Sequence, residues 1–207
     1  MAYTHFIPKI EWLKGTLTGT TAIGSPVVTG IASTASVVTG AAYNMFFEGT
    51  GIPAGAVVLS KTASTVTLDK NATANATNLF SFGHRIQFDL PPKKEPIGQN
   101  PKWTGSVATS KSGLTQYLED YIELETTLDF SHITQAIKDK FDYFLLTHAL
   151  GGRSFSFFRD YLEPLSEEIV EKNDNYTSPG YKVITRKGSG FSFLWEFKFS
   201  YRKVYGT

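Results

Sequence analysis

The chain contains no cysteine. Disulfide bonds, thiolate nucleophiles and cysteine-ligated metal sites are therefore excluded together. No apolar run approaches the roughly 20 residues that a membrane-spanning helix needs, and residues 1–6 lack the charged-then-apolar layout of a secretory signal peptide. The net charge of +1 gives no sign of binding to nucleic acid or to membrane surfaces through bulk electrostatics. We therefore expect a protein that folds in a reducing cytoplasm and has no membrane partner.

Charge is also scarce along one continuous part of the chain. Residues 15–83 are dominated by Thr, Ala, Gly, Val and Ser, and a turn-rich segment at 49–55 separates two of their short apolar runs. This part has only four charged side chains, which are Glu48, Lys61, Asp69 and Lys70. The contrast predicts a small all-β module at 15–83, inserted into a host domain that is formed by residues 1–14 and 84–207.

Aromatic residues are abundant, with 16 Phe, 10 Tyr and 3 Trp, and they favour β structure. From Phe191 to Tyr201 every second residue is aromatic, and this period of two predicts a long strand with one face in a core. One helix is predicted at 131–150, because its apolar residues recur at helical spacing. Ser131 is placed to cap this helix, and the glycine pair at 151–152 is placed to end it.

The remaining elements are predicted to be short strands. The strands at 6–13 and 84–90 form a pair whose connecting turn the module replaces, and residues 91–111 form a long irregular loop because they are rich in Pro, Gly and Lys. Further strands are predicted at 116–128, 154–159 and 181–186. This order predicts a mainly β fold, an antiparallel β-sandwich or barrel with one packed α-helix.

No pattern of catalytic residues stands out. The single dense acidic cluster consists of Glu119, Asp120, Glu123 and Glu125. A metal site or a glycosidase would need a converging partner for it, so we interpret it as the solvated face of a strand. The four histidines have no metal-ligand spacing, and they are His5, His84, His132 and His148. We therefore predict a protein that is not an enzyme and that has no cofactor or metal site.

Two parts of the chain resemble tailed-phage structural proteins. Residues 24–34, 49–55 and 64–68 resemble a β module found inserted in many such proteins, and its turn reads Gly-Thr-Gly-Ile-Pro-Ala-Gly here. The helix that ends at the glycine pair, the Phe-rich segment 153–160 and the closing strand 195–204 are similar to the distal tail protein and minor tail protein group.

The resemblance implies a tail-tube-like fold and a virion protein that is made in the host cytoplasm. Its subunits would form a hexameric ring at the end of the tail tube, joined to the tail hub or baseplate, and the genome would pass through the lumen without sequence-specific contacts. Two alternatives remain open. One is a tail terminator or head–tail connector ring, and the other is a receptor- or carbohydrate-binding tail module with 15–83 as its adhesive tip.

Two sets of residues are predicted to act in such a ring. The acidic side of the strand at 116–128 is expected to face the lumen, where like charge repels DNA, through Glu119, Glu123 and Glu125. The loop at 91–111 is expected either to contact the next ring or to be a mobile surface loop. Its basic residues are Lys93, Lys94, Lys102 and Lys111.

Overall fold

The computed structural model describes residues 7–39, 43–93, 99–109, 115–173, 178–185 and 193–204. At 99–109 and 115–123 it describes the course and pairing of the strands. The chain divides into two compact units, one formed by residues 10–86 and the other by residues 1–9 and 87–207. The sequence prediction set the corresponding boundaries at 14/15 and 83/84.

The unit at 10–86 is built from antiparallel strands. Its elements are β1 (Lys9–Thr21), β2 (Val27–Val28), β3 (Phe46–Glu48), β4 (Val58–Lys61), β5 (Val66–Leu68) and β6 (Ala76–Gln87). One group of strands runs in the order β3–β6–β1, and a separate three-stranded sheet runs β2–β5–β4. Their inward residues, among them Val28, Phe47, Val66 and Phe80, form one buried apolar cluster. β-Branched residues such as Val and Thr suit these strands.

The other unit holds the helix and the longest strand. Its elements are β7 (Gln99–Thr109), β8 (Thr115–Ile133), α1 (Gln135–Thr147), a 3₁₀ turn (Ala149–Gly151), β9 (Phe155–Phe158), a second 3₁₀ turn (Pro164–Ser166), β10 (Glu167–Lys172), β11 (Lys182–Thr185) and β12 (Phe193–Val204). The strand order is β9–β10–β12–β8–β7. β11 is outside this order and pairs with the first part of β12. Strand β12 therefore lies at the centre of this sheet.

Helix α1 packs its apolar stripe on the inner face of β12. Phe141 lies 4.6 Å from Phe197 and 5.1 Å from Phe199 between ring centroids, and Phe144 meets Phe155 edge-on at 4.9 Å. All five rings are buried. The alternating aromatic pattern therefore marks the core, as predicted, although Phe193 at the start of β12 is half exposed.

The helix begins later than predicted. The expected range was 131–150 with Ser131 as the cap, but Ser131 lies in β8 and Thr134 is the N-cap, with its hydroxyl accepting from the backbone N–H of Ile137. Ser131 stays in the strand because β8 continues its pairing with β12 to Ile133. At the other end the helix passes into the 3₁₀ turn, which closes on Gly152 in the left-handed region at φ 68°.

The predicted loop at 91–111 is wrong for residues 99–109, which form strand β7. Composition misled here, since Pro101 and Gly105 are unfavourable in a central strand but acceptable in a strand at the edge of a sheet. Strand β7 is the end strand of its sheet, and its register shifts between Thr104 and Gly105. Pairing with β8 supplies the hydrogen bonds that local propensity alone does not favour.

The predicted fold class is confirmed: the protein is mainly β, with antiparallel sheets and one packed α-helix. Among the described strands the sheets are open and sandwich-like, and they do not close into a barrel. The open end of the larger unit's sheet is the feature that bears on function.

Candidate functional site

Strands β7 and β8 form a hairpin that extends beyond the sheet. β7 pairs with β8 from Gln99 opposite Thr126 to Thr109 opposite Thr115. β12 pairs with β8 only from Glu123 onward. Positions 115–122 of β8 thus have β7 as their only strand partner among the described residues. At about 3.3 Å per residue this two-stranded ribbon is about 26 Å long. We call residues 103–109 with 115–122 the β arm.

The geometry of the β arm favours pairing with another chain. An isolated two-stranded hairpin is marginally stable in water. An open strand edge also presents a row of backbone N–H and C=O groups that can pair with another chain. Within the described part of the chain no strand pairs with the outer edge of β7. The arrangement is suited to assembly by addition of a strand.

The predicted acidic residues lie on β8, at the base of the β arm. Strand register places Glu123 opposite Lys102 on one side and Val204 on the other. It places Glu125 opposite Asn100 and Arg202. Each of these two positions thus has one basic residue directly across from it in the strand register. Glu119 is opposite Gly105, within the β arm.

The predicted basic residues separate into three groups. Lys94 and Lys111 lie outside the described residues. Lys102 is in β7, where the strand replaces the expected loop. Lys93 is described, and its backbone N–H donates to the carbonyl oxygen of Asp129 at 2.7 Å. The structure therefore brings Lys93 to the sheet face beside β8 and β12.

Lys93 makes an ionic contact that the sequence analysis missed. Its Nζ lies 2.6 Å from Glu196 Oε1 and 3.8 Å from Asp129 Oδ1. The hydrogen bond to Glu196 raises the pKa of Lys93, and the same bond lowers the pKa of Glu196. About a third of each side chain is exposed, so solvent screens the pair and it adds little to stability.

Three of the four charged side chains of residues 15–83 form hydrogen bonds with backbone groups of the same unit. Lys61 donates to the backbone carbonyls of Thr34 and Val37, and Lys70 donates to that of Ala54 at 2.8 Å. Asp69 accepts from the backbone N–H of Val57 at 2.8 Å. An isolated charged residue in a low-charge segment of the sequence could have predicted such a bond to the backbone of the same unit.

Glu48 belongs to a more buried ionic group in the same unit. Arg85 donates to both carboxylate oxygens of Glu48 and, through Nε, to Glu11 at 2.8 Å. The Arg85 guanidinium also lies 4.1 Å from the Phe46 ring centroid. The side chain of Glu11 is 3 % exposed and that of Glu48 is 39 % exposed, so this group ties β1, β3 and β6 together from the interior of the unit to its surface.

The described histidines do not converge. His84 is buried and stacked on Trp12 at 5.2 Å between ring centroids, and His132 is at the end of β8 with φ 60°. His148 is buried at the end of α1, where its Nε2 is 2.8 Å from the carbonyl oxygen of Ser154. His5 lies outside the described residues. Among the described residues no group of three or more His, Asp or Glu side chains is arranged to hold a metal ion.

No helix formed by the described residues is long and apolar enough to cross a bilayer. A scan against protein-family models and searches of curated proteins and of solved structures found no match to this chain. Any functional conclusion must therefore be argued from the residues and the geometry above.

Proposed function

We propose that the protein is a non-enzymatic structural component of a phage tail, a ring-forming subunit of the distal-tail type at the tube end or baseplate. The observation that carries the proposal is the β arm with its open outer edge. A subunit of a closed ring needs a heterologous contact, in which one surface meets a different surface of the next copy. A protruding hairpin that pairs with a neighbour's sheet supplies such a contact.

In this proposal the subunits form a hexamer in the virion, between the tail tube and the hub or baseplate, with the genome passing through the lumen. The resemblance in the closing strand and the inserted module supports this placement. The acidic row at Glu119, Glu123 and Glu125 would line part of the lumen, although Lys102 and Arg202 reduce its net charge. The contact with the next ring, predicted for residues 91–111, would be made at the base of the β arm, while the arm itself pairs within the ring.

The direct test is the mass of the protein in solution, measured by light scattering after size exclusion, with negative-stain images of the same peak. We expect a closed ring of about six subunits. A wild-type chain that stays monomeric at its highest soluble concentration would contradict self-assembly and favour the receptor-binding alternative. Glycan binding by the full chain would then test that alternative.

A truncated variant makes the test specific to the β arm. Residues 103–122 are replaced by Asn-Gly, a two-residue turn suited to a hairpin, so that Lys102 and Glu123 flank the new turn. The pairing of β8 with β12 from Glu123 onward is retained. We expect a folded monomer with an unchanged melting temperature. A truncated variant that still forms rings would show that the β arm does not carry assembly.

The lumen assignment is tested separately. Replacing Glu119, Glu123 and Glu125 with Lys should slow DNA ejection, because a positively charged wall attracts the phosphate backbone. An ejection rate equal to that of the wild-type virion would place these residues away from the lumen.

A further inference from the structure

The sheet of the larger unit has a cleft on the face where Lys93 lies. Its volume is about 420 Å³, and its walls come from Lys93, from β8, from the segment before β11, from β11 itself and from β12. The charged residues that line it are Lys93, Lys182, Lys198, Asp129 and Glu196. Small-molecule sites range from about 300 to 1,000 Å³, so the cleft has room for a compact organic molecule.

The charged side chains around the cleft differ in how close they lie to a group of opposite charge. Three lysine ammonium groups and two carboxylates line the cleft. Lys93 is the amine closest to both carboxylates, at 2.6 Å from Glu196 and 3.8 Å from Asp129. Lys198 is 4.0 Å from Asp129 with 70 % of its side chain exposed. Lys198 therefore lies at the solvent-exposed rim of the cleft.

Lys182 supplies the second amine of the rim. It lies in β11 directly opposite Glu196 in β12, and it is exposed. Lys198 is two residues further along β12, and side chains at such spacing share one face of a strand. Lys182 and Lys198 thus flank the mouth of the cleft from adjacent strands, with Pro179 beside them. The backbone N–H of Lys198 donates to the carbonyl oxygen of Pro179 at 3.1 Å, which fixes this wall.

We propose that the cleft binds a small anion that carries a carboxylate or phosphate group on a hydroxylated body. Lysine ammonium groups are compact point charges suited to such oxo-anions, so the two rim lysines would hold the anionic group. The oxygens of Asp129 and Glu196, which are hydrogen-bond acceptors, would take hydroxyl protons of the body. This site is independent of the proposed ring, because it needs neither a second copy nor the β arm.

The two sources of the anionic group are distinguished by two probes, glucuronate and glycerol 3-phosphate. Each is titrated into the full-length protein and followed by isothermal calorimetry, with glucose and glycerol as the neutral controls. We expect at least one anion to bind with a millimolar dissociation constant, and we expect neither neutral compound to bind. Because the rim is exposed, raising the salt from about 20 to about 200 mM should weaken binding several-fold. Failure of both anions to bind at low salt would overturn the proposal.

The assignment to this cleft is tested by the double variant Lys182→Gln and Lys198→Gln. It removes two exposed charges, so the fold should survive, and circular dichroism checks this. We expect the dissociation constant to rise at least tenfold. Lys140→Gln, on α1 and not lining the cleft, is the matched control and should bind as the wild type does. Equal loss in both variants, or retained binding in the double variant, would place the anion elsewhere.

Discussion

Replacing Phe199 with Ala tests whether the alternating aromatic pattern of β12 is the centre of the larger unit's core. Phe199 is fully buried, with its ring 5.1 Å from Phe141 and 5.9 Å from Phe155 between centroids. Truncating a buried Phe removes its transfer free energy and leaves a cavity, at a cost of about 3–5 kcal/mol. Rings on three sides, from α1, β9 and β12 itself, limit how far the site can collapse, so we expect the upper half of this range.

Phe193 provides a matched control on the same strand. It has the same side chain and the same parity along β12, but it is 52 % exposed. Full burial of a Phe side chain is worth about 1.5–3 kcal/mol, so half burial predicts a cost of about 1 kcal/mol for Phe193→Ala. The difference between the two variants, about 3 kcal/mol, therefore measures packing rather than the loss of an aromatic residue.

Urea unfolding followed by Trp fluorescence measures both variants, since Trp195 lies in the same unit. With a slope of about 1–3 kcal/mol per molar urea, the Phe199 variant should shift its midpoint by at least about 1 M. The Phe193 variant should shift it by less than half as much. If the two free energies of unfolding fall within about 1 kcal/mol of each other, the reasoning from alternation to core is refuted.

Three further predictions concern single residues. Gly51→Ala should cost about 2 kcal/mol, because its φ is +83° and a Cβ would lie 3.1 Å from the Ala74 carbonyl oxygen. Gly24→Ala is the comparison: its φ is +77° but nothing lies within 4 Å of the added Cβ, so it should cost about 1 kcal/mol. Equal melting temperatures of the two variants would refute the steric argument. Glu11→Gln should cost about 1.5–3 kcal/mol, since it removes a buried charged partner of Arg85, and an unchanged urea midpoint would contradict this. Burial lowers the pKa of His148, so the free energy of unfolding should fall as pH drops below about 6.5 toward the lowered folded-state pKa, and His148→Gln should flatten that slope.

The strongest periodic signals in the sequence were reliable. Strict alternation over β12 identified the core strand, because a period of two has one physical explanation when every second residue is aromatic. The low charge of residues 15–83 predicted an inserted β module there, whereas the compact unit covers 10–86 and its long strands β1 and β6 run past both predicted boundaries. The helix start was misplaced by four residues, since Ser131 and Thr134 are both good caps and only the pairing of β8 with β12 decides between them.

The elements that the sequence did not reveal depend on distant partners. β7 carries Pro101 and Gly105, and only its pairing with β8 makes it a strand. β10 is charged at both ends and buries a single residue, Val170, so its local signal is weak. The cleft and the Lys93–Glu196 contact join residues 103 positions apart, a separation that no local pattern encodes.

The continuity of β8 has a mechanical consequence. The strand is 19 residues long, and it belongs to the β arm at one end and to the central ladder with β12 at the other. A pull on the tip of the arm acts along the strand axis, while the backbone hydrogen bonds of an antiparallel ladder run across it. The load therefore shears the pairs from Glu123 to Ile133 together rather than peeling them one by one. A subunit held by its arm would resist tension as a unit, and its anchor would fail abruptly rather than gradually.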